Sequence, residues 1–355
     1  MNIIIRFLLL LIIFSCNRDK EHSGDIDIDT LKERSIEIST EDFKSLEVDS
    51  LLHDPMDIEI INGKIFISDA HSVLSVLDLN NPDHVLKPFR SGKGPNEFIF
   101  IVDLKYSRSD SIVYLFDGMI TEVRSFREED FGNDIEEINP IKIFKTKGML
   151  KMAILNDSTL VSTGLGKGRF AIHDMIEGDK LKEVGNRPKE RYYAPGSKMG
   201  ATLLNNQADI FYAAQDSMIF LSYARKPLLE GYKVTEDSSG INILPAWSVN
   251  FINKDLDKQW DQISQAEFVD SQVVGGELYA LYTDKQKNYL LIRMSSSGEV
   301  TRSYRINFER DIKSFSFDSD GKSLYVLAET KDLNTDIFSI ELEEEFSTFR
   351  ERLRN

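Results

Sequence analysis

The chain has one cysteine, Cys16, in 355 residues. That excludes an intramolecular disulfide and any metal site built on clustered cysteines. Basic residues are also short, since 43 Lys and Arg stand against 59 Asp and Glu for a formal net charge of -16. Long-range attraction to nucleic acid is therefore disfavoured, and no nucleic-acid partner is expected. The histidines His22, His53, His71, His84 and His173 are dispersed, and none lies in an H-E-x-x-H helix, so a zinc hydrolase has no sequence support. No G-x-S-x-G elbow occurs, so serine acyl transfer lacks its signature too. No apolar run reaches the roughly 20 residues that a membrane-spanning helix needs. No cofactor, catalytic residue or resident metal is expected from these patterns.

What is present is enough apolar material for a large core, 41% hydrophobic and 10% aromatic residues. The N-terminus, "MNIIIRFLLLLIIFSCNRDKEHSGD", places Arg6 before a short apolar run and then Ser15 and Cys16. That order is a secretory signal. Ile13-Phe14-Ser15-Cys16 resembles a bacterial lipobox, which implies lipid attachment at Cys16 and a chain held at a membrane of the cell envelope. The expected organisation is a signal peptide over 1–15, a lipidated flexible tether over 16–40, a folded domain over 41–345 and a tail or short helix over 346–355. The charged start at Asp19, Lys20 and Glu21 fits either a solvated linker or export to the outer leaflet.

From about Phe43 the pattern becomes short alternating segments separated by turns. Ile58 and Ile60, an Asn62-Gly63 turn, then Ile65 and Ile67, then residues 73–77, predict three antiparallel strands in succession. Similar units recur at 98–126, 150–175, 201–223, 268–294 and 312–342. About six sheet units on a 40–50 residue period predict an all-β fold, a six-bladed β-propeller of four-stranded antiparallel blades. The last unit lacks a fourth strand, so the segment 43–48 is expected to complete it and close the ring.

"SGKGPNEF", residues 91–98, resembles the G-x-G-P-x-E-F element of the TolB-like six-bladed β-propeller lipoproteins of Gram-negative bacteria. "GLGKGRFAIHD", residues 164–174, resembles their third-blade element, and "SQVVGGELYALYTD" and "DIKSFSFDSDGKSLYVLAET" look like their late blades. Asn96 departs from the family's usual glycine, and "NNQADI" replaces a clean turn in the fourth unit. The resemblance implies a lipid-anchored outer-membrane propeller, periplasmic or surface-facing, with no shared chemistry.

Neither glycine-rich stretch is a P-loop, because each lysine is followed by glycine and lacks a glycine five residues before it. Gly92 and Gly94 are expected to supply positive φ, and Glu97 to accept loop N–H groups. Calcium is a rival at Asp25, Asp27 and Asp29 and at Asp318 and Asp320, although each stretch also reads as ordinary linker or turn. In a propeller the D-to-A and B-to-C connections share one rim. That places His71, Arg90, Lys93, Lys167 and Arg169 together as a candidate anion-binding rim, with Asp117, Asp216, Lys285, Lys287 and Lys331 beside them. Tyr192, Tyr193, Trp247 and Trp260 are read as aromatics of long linkers. The inner strands contribute Asp57, Glu59, Asp103, Glu267 and Asp270, whose convergence alternation leaves open. The expected function is a binding or scaffold module for an envelope protein, peptide or glycan. The alternative is a propeller enzyme, a calcium-dependent lactonase or sugar-processing lyase or hydrolase, working in the central channel.

Overall fold

The computed structural model describes residues 22–48, 52–71, 73–132, 138–186, 207–224, 226–238, 240–252, 266–284, 286–329 and 334–342. They form a six-bladed β-propeller. The chain enters through β1 (His22–Asp27), a short helix α1 (Ile28–Arg34), β2 (Ile36–Ser39) and β3 (Lys44–Ser45). Blade 1 is β4 (Pro55–Ile61), β5 (Lys64–Asp69), β6 (Val73–Asp78) and β7 (Asn81–Leu86). A two-strand clip, β8 (Arg90–Ser91) with β9 (Glu97–Phe98), leads into blade 2. Blade 2 is β10 (Ile101–Ser107), β11 (Ile112–Asp117), β12 (Glu122–Arg127) and β13 (Lys142–Lys145). Blade 3 is β14 (Met149–Ile154), β15 (Thr159–Gly164), β16 (Phe170–Asp174) and β17 (Lys180–Val184). Blade 4 is β18 (Ala208–Ala213), β19 (Met218–Tyr223), β20 (Leu228–Asp237) and β21 (Gly240–Ile252). Blade 5 is β22 (Ala266–Val274), β23 (Glu277–Asp284), β24 (Tyr289–Met294) and β25 (Val300–Asn307). Blade 6 is β26 (Asp311–Phe317), β27 (Ser323–Glu329), β28 (Thr335–Glu341) and β3.

Local sequence explains the units. Asn62 and Gly63 both take positive φ, 47° and 81°, as the two-residue hairpin turn requires. The middle strands of each blade are buried on both faces, because blades stack on one another. Ile65–Ile67 and Leu290–Ile292 are therefore continuous apolar runs with almost no exposed surface. The core is divided among the seams between blades. Phe66, Phe89, Phe98, Phe126 and Phe131 fill the seam of blades 1 and 2, and Phe220, Trp247, Phe251 and Phe268 that of blades 4 and 5.

The ring closes as expected. Ser45 and Lys44 pair with Phe338 and Ser339 of β28, and Leu46 N–H donates to Ile337 O at 2.9 Å. The Asp336 carboxylate accepts from Ser45 Oγ and from Val48 N–H.

The flexible tether is corrected over residues 22–39. β1 adds in parallel to the outer edge of β21, and β2 in parallel to β25, giving blades 4 and 5 a fifth strand each. Period-two alternation in "GDIDID" is strand pattern and not linker pattern. Ile28 is fully buried in the seam of blades 4 and 5, and Ile38 in that of blades 5 and 6. Lys32 Nζ reaches Asp284 Oδ2 at 2.9 Å, which ties α1 to blade 5. The candidate calcium ligands take structural positions here. Asp25 accepts from Asn250 Nδ2 at 3.2 Å, and Asp27 caps α1 by accepting from Asp29 N–H at 3.1 Å. Asp318 accepts from Lys322 and Ser323 N–H within its own turn.

Blade 4 is also shifted by one strand from the sequence reading. Its innermost strand is β18, and residues 201–204 lie outside the described chain. Asp216, between β18 and β19, therefore belongs to an A-to-B connection on the face opposite the rim. Trp247 is no linker residue: it sits in β21, buried, with its indole N–H donating to Ser296 O at 2.9 Å. Cys16, Tyr192, Tyr193, Trp260, Lys285, Lys331 and the 346–355 tail lie outside the described residues, as does the Glu267 side chain.

Candidate functional site

The rim comes first, because its glycine-rich loops resemble anion cradles. Ser91 to Glu97 links blade 1 to blade 2, and Leu165 to Gly168 joins β15 to β16, so both loops occupy one face of the ring. In the first loop Gly94 N–H donates to Glu97 Oε2 at 2.9 Å. In the second, Lys167 and Gly168 N–H donate to Glu183 Oε2 at 2.7 and 3.0 Å. Those hydrogen bonds and Lys180 hold Glu183 down to about 2. Each cradle is thus filled by a carboxylate of the protein itself. Gly92 and Gly94 are not needed for positive φ, which neither adopts. They are needed because a Cβ at Gly92 would overlap the Glu97 carboxylate, and one at Gly94 would lie 3.0 Å from it.

The first loop is locked from below by Arg124, 1% exposed, a residue the sequence reading missed. Its Nη1 donates to Gly94 O at 2.9 Å, Pro95 O at 3.0 Å and Glu97 O, while Nη2 donates to Glu122 Oε2 at 2.8 Å. The guanidinium stacks 4.7 Å from the Phe98 ring centre.

Of the rim candidates, His71, Arg90, Lys93 and Lys167 are exposed on that face. Arg169 is not a surface cation. It is buried, bonded to Glu230 and the Tyr223 hydroxyl, and sandwiched near the Tyr223 and Tyr232 rings, where desolvation lowers its pKa. Asp117 is likewise fully buried, accepting from Ile99, Phe100, Met119 and Ile120 N–H. Lys287 is exposed and paired with Asp311.

The central channel is more ordered than the sequence reading allowed. The six inner strands each present a polar residue at one level: Asp57, Asp103, Lys151, Asp209, Asp270 and Ser314. Two residues further along lie Glu59, Lys105, Gln272 and Ser316. In all but β18 a register shift immediately precedes the first of these positions, and such a bulge re-aims the side chain that follows.

An innermost strand has no neighbour on its channel side, so its outward N–H groups need other acceptors. At the junctions of blades 2 and 3, 5 and 6, and 6 and 1 they receive side chains from the preceding blade. Asp103 accepts from Met152 N–H at 2.6 Å, Asp270 from Phe315 N–H at 2.9 Å, and Ser314 Oγ from Ile58 N–H at 3.3 Å. One level down, Gln272 accepts from Phe317 N–H at 2.7 Å and Ser316 Oγ from Ile60 N–H at 2.9 Å. Each acceptor reaches the residue that follows the equivalent position in the next blade. Lys151 joins blades 3 and 4 by its pair with Asp209 at 3.1 Å, and Lys105 pairs with Asp103 within β10 at 3.0 Å.

Asp57, Asp270 and Glu59 also meet in the channel. Ser314 Oγ lies 2.7 Å from Asp57 Oδ1 and 2.6 Å from Asp270 Oδ2, and one hydroxyl has only one proton to donate. Burial, together with the Asp57 and Asp209 charges, pushes Asp270 well up. Glu59, hydrogen-bonded to Gln272 at 3.1 Å, is raised by burial to about 7, with Lys105 opposing and Asp57 adding to the rise. A folded-state pKa above the unfolded value contributes stability that is complete below the unfolded pKa, 4.5, and lost as pH rises through 7. Stability is therefore expected to fall between pH 5 and pH 8. Glu59→Gln is expected to remove up to about 3 kcal/mol of that decline, read as melting temperature against pH. An unchanged profile in Glu59→Gln would refute this.

The fold and this network define a self-closed propeller, and comparison with solved structures agrees on the fold. The chain is similar to a protein of Bacteroides fragilis described as exported, at 14% identity and a TM-score of 0.56, covering 90% of this chain and 99% of that one. It is similar to U3-55K at 9% identity and a TM-score of 0.52, covering 86% and 99%. A protein from Lactobacillus plantarum matches at 10% identity and a TM-score of 0.52, covering 81% of each chain. No protein-family model and no curated protein matches the chain. Among the described residues no helix is long and apolar enough to cross a membrane.

Proposed function

We propose that this chain is a lipid-anchored envelope propeller of the TolB-like kind, acting as a binding or scaffold module for an envelope protein, peptide or glycan. The observation that carries the reading is the channel circuit, in which the inner-strand polar groups are engaged in capping backbone N–H groups and pairing with one another. The exposed charges of Lys93, Lys167 and Arg90 lie outside it on the rim, where an acidic sugar or carboxylate-bearing peptide would meet cations in a protein of net charge -16. The exported Bacteroides fragilis neighbour fits the same reading.

Anchoring follows from Cys16. Only a few residues separate it from β1, which begins at His22, so the leash spans at most about 20 Å. It holds the flank of blades 4 and 5 towards the membrane. Cys16→Ser is expected to move the protein from the membrane fraction to the soluble fraction; retention in membranes would refute the anchor. Lys93→Ala with Lys167→Ala is expected to weaken binding to an acidic glycan and peptide panel by at least fivefold in calorimetry, with the melting temperature unchanged. Equal affinity in the double variant would remove the rim from the proposal.

One observation favours the second reading, catalysis in the channel: Glu59 titrates near neutrality one strand level from the Asp57–Ser314–Asp270 group. Turnover of a lactone or glycoside panel that is abolished by Glu59→Gln would decide for it.

A further inference from the structure

At the outer end of a seam a groove lies between the last strand of one blade and the C-to-D connection of the next, as between blades 1 and 2 and between blades 2 and 3. Three seams are plugged by the chain itself. Between blades 1 and 2 Phe131 enters and leaves about 200 Å³. Between blades 4 and 5 it is Trp247 with Ile28, and between blades 5 and 6 Phe43 against Phe308. The groove between blades 2 and 3 has no such plug among the described residues. It measures about 420 Å³ and is lined by β13 together with Met175, Ile176, Glu177 and Gly178. Ile176 at the groove stays in solvent at 67% exposure, as does Ile143 on the other face of β13 at 45%.

Among the described residues β13 is also an open edge of its sheet. It contains no proline, unlike the edge strand β7, where Pro82 blunts pairing. Its sequence, Lys-Ile-Phe-Lys, alternates faces: Lys142 and the buried Phe144 share the groove face, and exposed Ile143 and Lys145 the other. Two other outer edges of this protein show what such an edge accepts. β1 and β2 are short strands that alternate acidic and apolar residues and add in parallel. In β2, Glu37 pairs with Arg305 of the edge strand at 2.9 Å while Ile38 enters the seam.

We infer that the β13 edge docks an extended partner segment of alternating acidic and apolar residues, adding it to blade 2 as a fifth strand. Its apolar side chains enter the groove against Phe144, Met175 and Ile176, and its carboxylates, on the opposite face of the sheet, meet Lys145, while Lys142 flanks the groove. The same lysines disfavour pairing with a second copy, since two basic edges repel. This surface is on the flank and separate from the rim, so the two readings stand or fall independently.

The probe is a fluorescein-labelled peptide GDIDIDT, the sequence of residues 24–30, titrated against the full chain by fluorescence anisotropy, with GKIKIKT as control. Saturable binding of the acidic peptide alone is expected. Ile143→Glu with Ile176→Glu is expected to weaken it at least tenfold, and Lys142→Glu with Lys145→Glu to transfer preference to the basic peptide. Both are surface changes, and an unchanged melting temperature verifies folding. Absence of saturable binding at millimolar peptide, equal affinity in the isoleucine variant, or self-association abolished by Ile176→Glu would each overturn the assignment.

Discussion

Arg124→Met is expected to lower the melting temperature by roughly 5–15 °C, the largest effect of any single substitution outside the apolar core. The change keeps most of the side-chain volume but strands the Glu122 carboxylate and three carbonyls, those of Gly94, Pro95 and Glu97. Removing one partner of a buried charged pair costs about 3–5 kcal/mol, and a domain of this size loses a few degrees per kcal/mol. Arg124→Lys is expected to rescue little, because a single ammonium reproduces neither the fork to Glu122 nor the stacking on Phe98. A calorimetric melting temperature within 2 °C of wild type would show that the loop between blades 1 and 2 does not depend on this arginine.

Asp103→Ala is the second large effect. It leaves Met152 N–H without its acceptor and takes the carboxylate away from Lys105 and Lys151, which lie 3.0 and 3.9 Å from it. A loss of about 3–5 kcal/mol is expected in denaturant unfolding. Asp270→Asn differs in sign. Asp270 is already pushed towards its neutral form, and an asparagine retains an acceptor for Phe315 N–H and a donor for Ser314 Oγ. It is expected to be neutral at pH 5 and stabilising at pH 8. Equal losses in the two variants would show that the channel carboxyls are interchangeable, contrary to their different partners.

These residues also mark where sequence patterning stops being sufficient. The blades were legible because period-two alternation and turns such as Asn62-Gly63 are local signals. The closing strand was legible because the last unit lacked a partner. The outermost strands β13 and β17 were missed because they are short and lysine-bearing, with one buried residue in β13 and none in β17. β1 and β2 were read as tether because acidic residues dominate them, yet their isoleucines enter the blade seams. In the channel, Asp57, Glu59, Asp103 and Asp270 were visible as inner-strand carboxyls. Lys105, Lys151, Asp209, Gln272 and Ser314 were not, because their role appears only when successive blades are aligned on one level. That alignment rests on bulges such as the one between Ile101 and Asp103. The repeated placement of a polar residue after each inner-strand entry was the available signal. Arg169 illustrates the opposite error, since a cation in a glycine-rich loop reads as a surface charge until Glu230, Tyr223 and Tyr232 from the next blade enclose it.

Side chains of one blade cap inner-edge N–H groups of the next at the junctions of blades 2 and 3, 5 and 6, and 6 and 1, which makes the channel a structural network. Native-state hydrogen exchange tests it most directly. The amides of Ile58, Ile60, Met152, Phe315 and Phe317 are expected to exchange among the slowest in the chain, only on global opening, and Asp103→Ala is expected to release Met152 ahead of the other four. Rapid exchange of all five in the wild-type protein, at rates typical of solvent-facing edge strands, would contradict it.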